Sequence, residues 1–155
     1  GLDEHRQQLN AERVERSFEP IAKRLRTDLS TRSFRRIKYN EDLYWKEKIV
    51  PIRLAIGAFE VHSPTHFGPS TYYIQARFDF RWDYSRDCAS LEEAEFAQFL
   101  QPGDFESVAL DFTFADGRWE LAQVGNGDRE YFEGQLVWDR VAEVCKAAQR
   151  PVGKP

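Results

Sequence analysis

The sequence predicts an α+β fold: an N-terminal helix, a long curved antiparallel sheet of four to five strands with a short helical insertion, and a C-terminal helix. Three observations predict it. Apolar residues recur near the 3.6-residue period in segments 3–29 and 130–149, apolar and polar residues alternate through segment 71–84, and Asp116-Gly117 separates two further alternating segments. Helices at both ends of the chain can therefore cover one face of the sheet.

The N-terminal helix is predicted over residues 3–29, where apolar side chains return at helical spacing. Pro20 falls inside this pattern and has no backbone N–H to donate. It predicts either a kink or a second helix that begins after a break near Ser17. The apolar positions that need a sheet to cover them are Leu9, Val14, Phe18, Ile21, Leu25 and Leu29.

The first clear strand follows in segment 48–62, KIVPIRLAIGAFEVH, where alternate positions from Val50 to Ala58 are apolar. Pro51 predicts the start or the edge of a strand, and Gly57 predicts a bulge or bend. Segment 34–45 fits either a shorter strand or an irregular segment. The prolines and glycine of segment 62–70 then reverse the chain.

Segment 71–84, TYYIQARFDFRWDY, is predicted to be the central strand. One set of alternate residues, which we call the apolar parity, is apolar and aromatic: Tyr72, Ile74, Ala76, Phe78, Phe80, Trp82 and Tyr84. The other carries the candidate ligand-binding residues: Tyr73, Gln75, Arg77, Asp79, Arg81 and Asp83. If these side chains lie open to water, they form a solvated face, where alternating charges keep a sheet soluble. If the sheet curves around them, they line a pocket.

The rest of the chain supplies a helix, a hairpin and a second long helix. Ser90 and Glu93 form a capping box before a helix predicted over 91–100, which Pro102 and Gly103 are expected to end. A hairpin with its turn at Asp116-Gly117 follows. The last helix is predicted over 130–149, after a turn at 125–128. We therefore expect one α+β domain over residues 2–150 and a frayed tail at 151–155.

This order of elements resembles the layout of cystatin-like and NTF2-like rolls, in which a helix lies in the concave side of a curved antiparallel sheet. The resemblance covers most of the chain but rests on element order alone. It implies a roll, and that scaffold is used by enzymes as well as by assembly modules, so it does not select a function.

Charge is distributed unevenly along the 155 residues, although the net charge is only −4. Residues 23–38 hold seven basic side chains and one acid, whereas residues 87–116 hold eight acids and no Lys or Arg. The acidic part argues against nucleic-acid binding, which needs uncompensated basic charge. The two segments are expected to face each other in the fold or across an oligomer. A membrane surface is a second partner for the basic segment, through Lys23, Arg24, Arg26, Arg35 and Arg36.

The chain contains no methionine and starts at Gly1, which favours a protein whose natural N-terminus has been removed. Loss of a signal peptide, lipoprotein leader or membrane anchor would explain this, so an extracytoplasmic domain is expected. In that compartment Cys88 and Cys145 could form one disulfide. The alternative is that both are small buried thiols.

Motifs of catalysis are missing from the sequence. It has no phosphate loop, dinucleotide fingerprint, nucleophile elbow, Cys-x-x-Cys or His-Glu-x-x-His motif. His62 and His66 could hold zinc with a carboxylate such as Glu60, but Pro64 between them favours a solvated turn, and neither a metal nor a cofactor is predicted. We expect a non-enzymatic domain that binds a protein partner or self-associates. The alternative is a small-molecule-binding roll with a charged pocket, an isomerase or hydrolase.

Overall fold

A computed structural model describes residues 1–62, 69–125 and 132–150, and the side chains of residues 3, 7, 31, 101, 102 and 132–134 are not described. The elements are α1 (Leu2–Ser17), α2 (Glu19–Thr31), β1 (Phe34–Asn40), β2 (Leu43–His62), β3 (Thr71–Ser85), α3 (Leu91–Phe96), β4 (Phe99–Ala115), β5 (Arg118–Gly125) and α4 (Phe132–Ala148). The strands form one antiparallel sheet in the order β1-β2-β3-β4-β5. The predicted α+β roll is confirmed. Most of the predicted 62–70 loop and 125–128 turn, and all of the 151–155 tail, lie outside the described residues.

The N-terminal helical segment is two helices, as one of the two interpretations of Pro20 predicted. Phe18 separates α1 from α2, and Pro20 occupies the first turn of α2, where its missing N–H costs no helical hydrogen bond. The Phe18 ring is buried at this joint. Among the described residues, no helix is long and apolar enough to cross a membrane.

The segment before β2 is a strand that forms a hairpin with it. β1 pairs with β2 from Asn40↔Leu43 to Phe34↔Ile49. The two turn residues, Glu41 and Asp42, both have positive φ, 49° and 67°. This is the backbone that a two-residue hairpin turn needs, supplied here without glycine. Pro51 lies just beyond the last β1 pair, so its missing N–H removes no β1–β2 hydrogen bond.

The apolar parity of β3 faces the helices and forms the centre of the core. Its buried members are Ile74, Ala76, Phe78, Phe80 and Trp82. They belong to one cluster with buried residues of α2 and α4, among them Leu25 and Val141. The central-strand prediction is confirmed. We call the opposite side of the sheet, which carries Tyr73 and the charged residues of β3, the outer face.

Trp119 of β5 joins three elements beneath the helices. Its indole N–H donates to the Ser17 hydroxyl of α1 at 2.9 Å. Its backbone N–H donates to Gln149 Oε1, and its backbone carbonyl accepts from Gln149 Nε2, both at 2.8 Å. The side-chain amide of Gln149 thus bonds β5 as a neighbouring strand would, and Trp119 ties α1 to the end of α4.

The helical insertion is shorter than predicted. Ser90 accepts a hydrogen bond from the N–H of Glu93, as the capping box requires, but α3 ends at Phe96 and β4 begins at Phe99. The prediction that Pro102 and Gly103 end the helix was wrong, because both lie inside β4. They occupy an irregular part of its ladder with β3, between the pairs Arg81↔Phe105 and Ser85↔Phe99.

The two cysteines are free thiols in separate clusters, so the disulfide alternative is not what the structure contains. Cys145 lies in the main core, where its Sγ is 3.5 Å from the Trp119 carbonyl oxygen. Burial, with a smaller contribution from the charge of Glu120, raises the pKa of this thiol to about 11. Cys88 packs with Ala94 and Ala97 beneath α3. Both behave as the small buried residues of the other interpretation.

Candidate functional site

The outer face carries a groove that crosses β2, β3, β4 and β5, with a volume of about 470 Å³. This size lies within the range of about 300–1,000 Å³ that is usual for small-molecule sites. The lining residues with polar side chains are Glu60, His62, Tyr73, Gln75, Asp111, Thr113 and Gln123. The lining also contains the small residues Gly57, Ala58 and Ala122, and two residues whose side chains are buried in the core, Ile74 and Phe112.

Two β-bulges create the depression. Gly57 and Ala58 together oppose the single residue Gln75, and Ala122 is an extra residue in β5 between the pairs made by Asp111 and Phe112. A bulge bends its strand and strengthens the local twist. Gly57 is required at the first bulge because a Cβ there would lie 2.6 Å from the backbone oxygen of Gln75. The small bulged residues leave the space that larger side chains would fill.

The polar side chains of the groove are arranged by strand register. Gln75 lies opposite Asp111, which lies opposite Gln123, and the Gln75 amide donates to Asp111 Oδ1 at 2.7 Å. One step along the sheet, Tyr73 pairs with Glu60 on one side and Thr113 on the other.

The end of the groove is formed by two rings. The His62 and Tyr73 ring centroids are 4.6 Å apart with the planes tilted by 44°. His62 Nε2 also lies 3.8 Å from Glu60 Oε2. The groove therefore combines hydrogen-bond donors, acceptors and aromatic rings.

This arrangement suits binding better than acid–base chemistry. Glu60 and His62 are two neighbouring protonatable groups of the groove, and their side chains are 63 % and 60 % exposed. Catalytic acid–base pairs depend on environments that push two pKa values apart, usually through burial. In the described residues, no group of three or more His, Cys, Asp and Glu side chains could hold a metal ion. His66 lies outside the described residues.

The structure divides the six candidate residues of β3 into three pairs. Tyr73 and Gln75 line the groove. Arg77 and Asp79 form a network with Ser107, whose hydroxyl accepts from Arg77 Nε at 2.7 Å and donates to Asp79. Arg81 makes two hydrogen bonds to Asp83, at 2.8 and 3.1 Å. The last four residues do not line the groove.

The Arg81–Asp83 pair is the most enclosed part of the charged row, with Asp83 only 9 % exposed. The Arg81 guanidinium, through its hydrogen bonds, holds the pKa of the Asp83 carboxyl below its usual value. The charges of Arg81 and Lys48 and the backbone N–H of Gly103 lower it further, while partial burial opposes them. This pair fixes the irregular start of β4 to β3.

The substitution Asp83→Asn is expected to destabilise the fold at neutral pH and to do so less in acid. The folded-state pKa of Asp83 lies below the unfolded-state value of about 3.9, so its carboxylate stabilises the fold above about pH 4. That contribution is lost as the pH falls through the folded-state pKa. Urea unfolding midpoints of the two proteins should therefore differ at pH 7 and converge below about pH 4.

Asp116→Asn, in the exposed β4–β5 turn, is the matched control and should shift the midpoint little at either pH. A difference between Asp83→Asn and the parent protein that stays constant into strong acid would contradict the ion-pair explanation.

The basic segment is only partly available to a membrane or partner. Lys23, Arg24 and Arg26 are exposed on α2, and Arg35 is exposed on β1. Arg36 instead donates to Glu47 Oε2 at 3.0 Å and lies over the Trp82 ring. The acidic helix α3 contacts both β1 and β2, and Ile37 of β1 packs against the small cluster beneath this helix.

Sequence reasoning missed most of the groove. Asp111, Thr113 and Gln123 lie far from Tyr73 along the chain, and only strand register brings them beside it. The bulge predicted at Gly57 was a correct signal for part of the groove floor. The extra residue Ala122 carries no such signal in the sequence.

Comparison of the chain with protein-family models, with curated proteins and with solved structures finds no match.

Proposed function

We propose that the chain is a non-enzymatic binding domain whose ligand occupies the outer-face groove. The groove supports this proposal because it gathers polar side chains from four strands around a floor of small bulged residues. Ligand sites typically combine a concave shape with a few oriented polar groups. The exposed Glu60 and His62 favour recognition over acid–base catalysis.

The element order resembles cystatin-like and NTF2-like rolls, and both enzymes and binding modules are built on such scaffolds. As part of the same proposal, the domain belongs to an exported or membrane-anchored protein. Lys23, Arg24 and Arg26 would then face anionic headgroups, while the groove, which lies on the side of the sheet away from α2, stays accessible.

A fragment screen by ¹H–¹⁵N NMR is expected to give chemical-shift changes that cluster at the groove, including the amides of Gln75, Asp111 and Gln123. The reason is that a preformed concave site binds small molecules better than the rest of the surface. Tyr73→Ala should remove these changes. Arg77→Ala, on the same strand and face but outside the groove, should leave them intact. A second cavity lies between α1 and the β4–β5 turn and is lined by Val14, Ser17, Tyr72 and Gly117, among others. Hits that cluster there instead would contradict the proposal.

Self-association is the second candidate function, favoured by an exposed ring on the outer face. Phe105 is 72 % exposed and pairs with Arg81, which pairs on its other side with Val50. Arg77 and Asp79 lie near by on the same face. A two-fold interface could set Arg77 of one copy against Asp79 of the other, so the charges are self-complementary.

Phe105→Ser is expected to abolish any dimer of the parent protein, measured by light scattering after size-exclusion chromatography at low salt. Loss of a central aromatic anchor typically costs an interface about 2 kcal/mol or more. Phe96→Ser, at a similarly exposed ring on α3, serves as the control and should leave the dimer in place. A parent protein that stays monomeric at high concentration would rule out this candidate.

A further inference from the structure

We infer that the ligand of the groove is an uncharged, hydroxyl-rich ring compound, of which a sugar is the general case. This inference rests on the proposed binding function and adds the chemical class of the ligand. It follows from what the groove offers and from what it lacks.

The charges of the groove disfavour anions. None of the lining residues that the structure describes is Lys or Arg, while Glu60 and Asp111 contribute carboxylates. Phosphate and carboxylate ligands are recognised by Arg, Lys or clustered backbone N–H groups. An anion would meet two carboxylates and only an exposed imidazole to offset them.

The small size of the floor residues disfavours a mainly apolar ligand. Gly57, Ala58 and Ala122 present little apolar side chain, and the two large apolar residues of the lining, Ile74 of β3 and Phe112 of β4, are buried in the core. Affinity for an apolar ligand grows with the apolar area that is buried. The groove instead surrounds its floor with amides, carboxylates and a hydroxyl.

The remaining groups match a ring that has hydroxyls at its rim and C–H groups on its face. Gln75 and Gln123 have both donors and acceptors, Thr113 has a hydroxyl, and the carboxylates of Glu60 and Asp111 accept. A sugar hydroxyl also donates and accepts, so it can pair with either kind. The hydrogen bond from Gln75 to Asp111 fixes two of these groups before a ligand arrives, which lowers the entropic cost of binding.

The ring pair of Tyr73 and His62 provides an aromatic surface for the C–H face of the ligand. Their centroids are 4.6 Å apart, and His62 is mostly exposed. Aromatic side chains offer a large rigid contact area together with a polar group, which suits a ligand with one apolar face and a polar rim. Cations could also approach such rings, so the experiment includes them.

The test is an NMR titration of the ¹⁵N-labelled protein with three sets of probes: sugars (glucose, galactose, mannose, N-acetylglucosamine, maltose and cellobiose), the cation spermidine, and inorganic phosphate. At least one sugar should shift the groove amides, with a dissociation constant of about 1 mM or below. Tyr73→Ala and Asp111→Ala should each weaken that binding about tenfold or more. Arg77→Ala should not weaken it.

The other outcomes separate the inference from the proposed function. If spermidine or phosphate shifts the groove amides and no sugar does, the ligand class is wrong and the binding function stands. If no probe of any set shifts them, the ligand class is wrong, and fragment hits at another cavity would then remove the binding function as well. Sugar-induced shifts that persist in folded Tyr73→Ala and Asp111→Ala would overturn the inference by placing the sugar elsewhere.

Discussion

Replacing Trp119 with alanine is expected to lower the free energy of unfolding by about 3–5 kcal/mol, the usual cost of truncating a large core aromatic. The ring is 1 % exposed and lies 5.1 Å from the Phe18 ring and 5.4 Å from the Phe114 ring, measured between centroids. The cavity would open where α1, α4 and the sheet meet. Chemical denaturation followed by circular dichroism measures the loss, which is a large part of a typical stability of about 5–15 kcal/mol.

Two further variants separate packing from hydrogen bonding at this site. Trp119→Phe keeps an aromatic ring but removes the donor to Ser17, and is expected to cost about 1–2 kcal/mol. Ser17→Ala removes the other partner of this bond and also the hydrogen bond from the Ser17 hydroxyl to the Val14 carbonyl. The double variant should cost less than the sum of the two because both single variants remove the same Trp119–Ser17 bond. Trp138→Ala, at a half-buried position of α4, is the control. A loss as large there as at Trp119 would contradict the special role of Trp119.

Gly57→Ala is expected to destabilise the fold by about 1–3 kcal/mol, as overpacking does, and to change the shape of the groove. The new Cβ would lie 2.6 Å from the backbone oxygen of Gln75, and a backbone atom cannot move aside as the end of a flexible side chain can. The bulge must shift, and Gln75 with it. Denaturation measures the loss of stability, and NMR of the Gln75 and Asp111 amides measures the change in the groove.

Gly103→Ala is the matched control for this prediction. Its Cβ would clash with the Trp82 backbone oxygen, so it should also destabilise the protein, but at the other end of β3. Gly125→Ala meets nothing closer than 3.8 Å and should cost little. If Gly103→Ala alters the groove amides and ligand binding as strongly as Gly57→Ala does, the effect is global and the bulge has no special role in the groove.

The layers of the fold could be predicted because they depend on local periodicity. The alternation of apolar and polar residues along β3 predicted which of its side chains face the core, since successive side chains of a strand point to opposite faces of the sheet. The β1–β2 hairpin could not be assigned in the same way. Its turn uses Glu41 and Asp42 with positive φ, and neither residue carries the signal that glycine does.

The groove was predictable only in part, because it depends on pairing between distant segments. Tyr73 and Gln75 were named from their strand, but so were four neighbours on the same face that the structure assigns to other contacts. The two residues Gln75 and Arg77 differ in their neighbours: Gln75 lies opposite the bulge of β2, whereas Arg77 lies near the Ser107 hydroxyl. The bulge and the Ser107 hydroxyl belong to neighbouring strands, and the sequence of one strand does not show which residues pair with it.

The contact between Ser17 and Trp119 joins residues 102 positions apart, and Gln149 then bonds the same tryptophan from the end of α4. During synthesis, the antiparallel hairpins can form as soon as their own strands exist, since they need only nearby residues. The first helix, by contrast, cannot complete its hydrogen bond until β5 has been made, and β5 cannot bond Gln149 until α4 is finished. Contacts of such long sequence separation slow folding. Phe18, whose ring contacts Phe112 and Trp119, therefore gains its final partners only after β4 and β5 have been made.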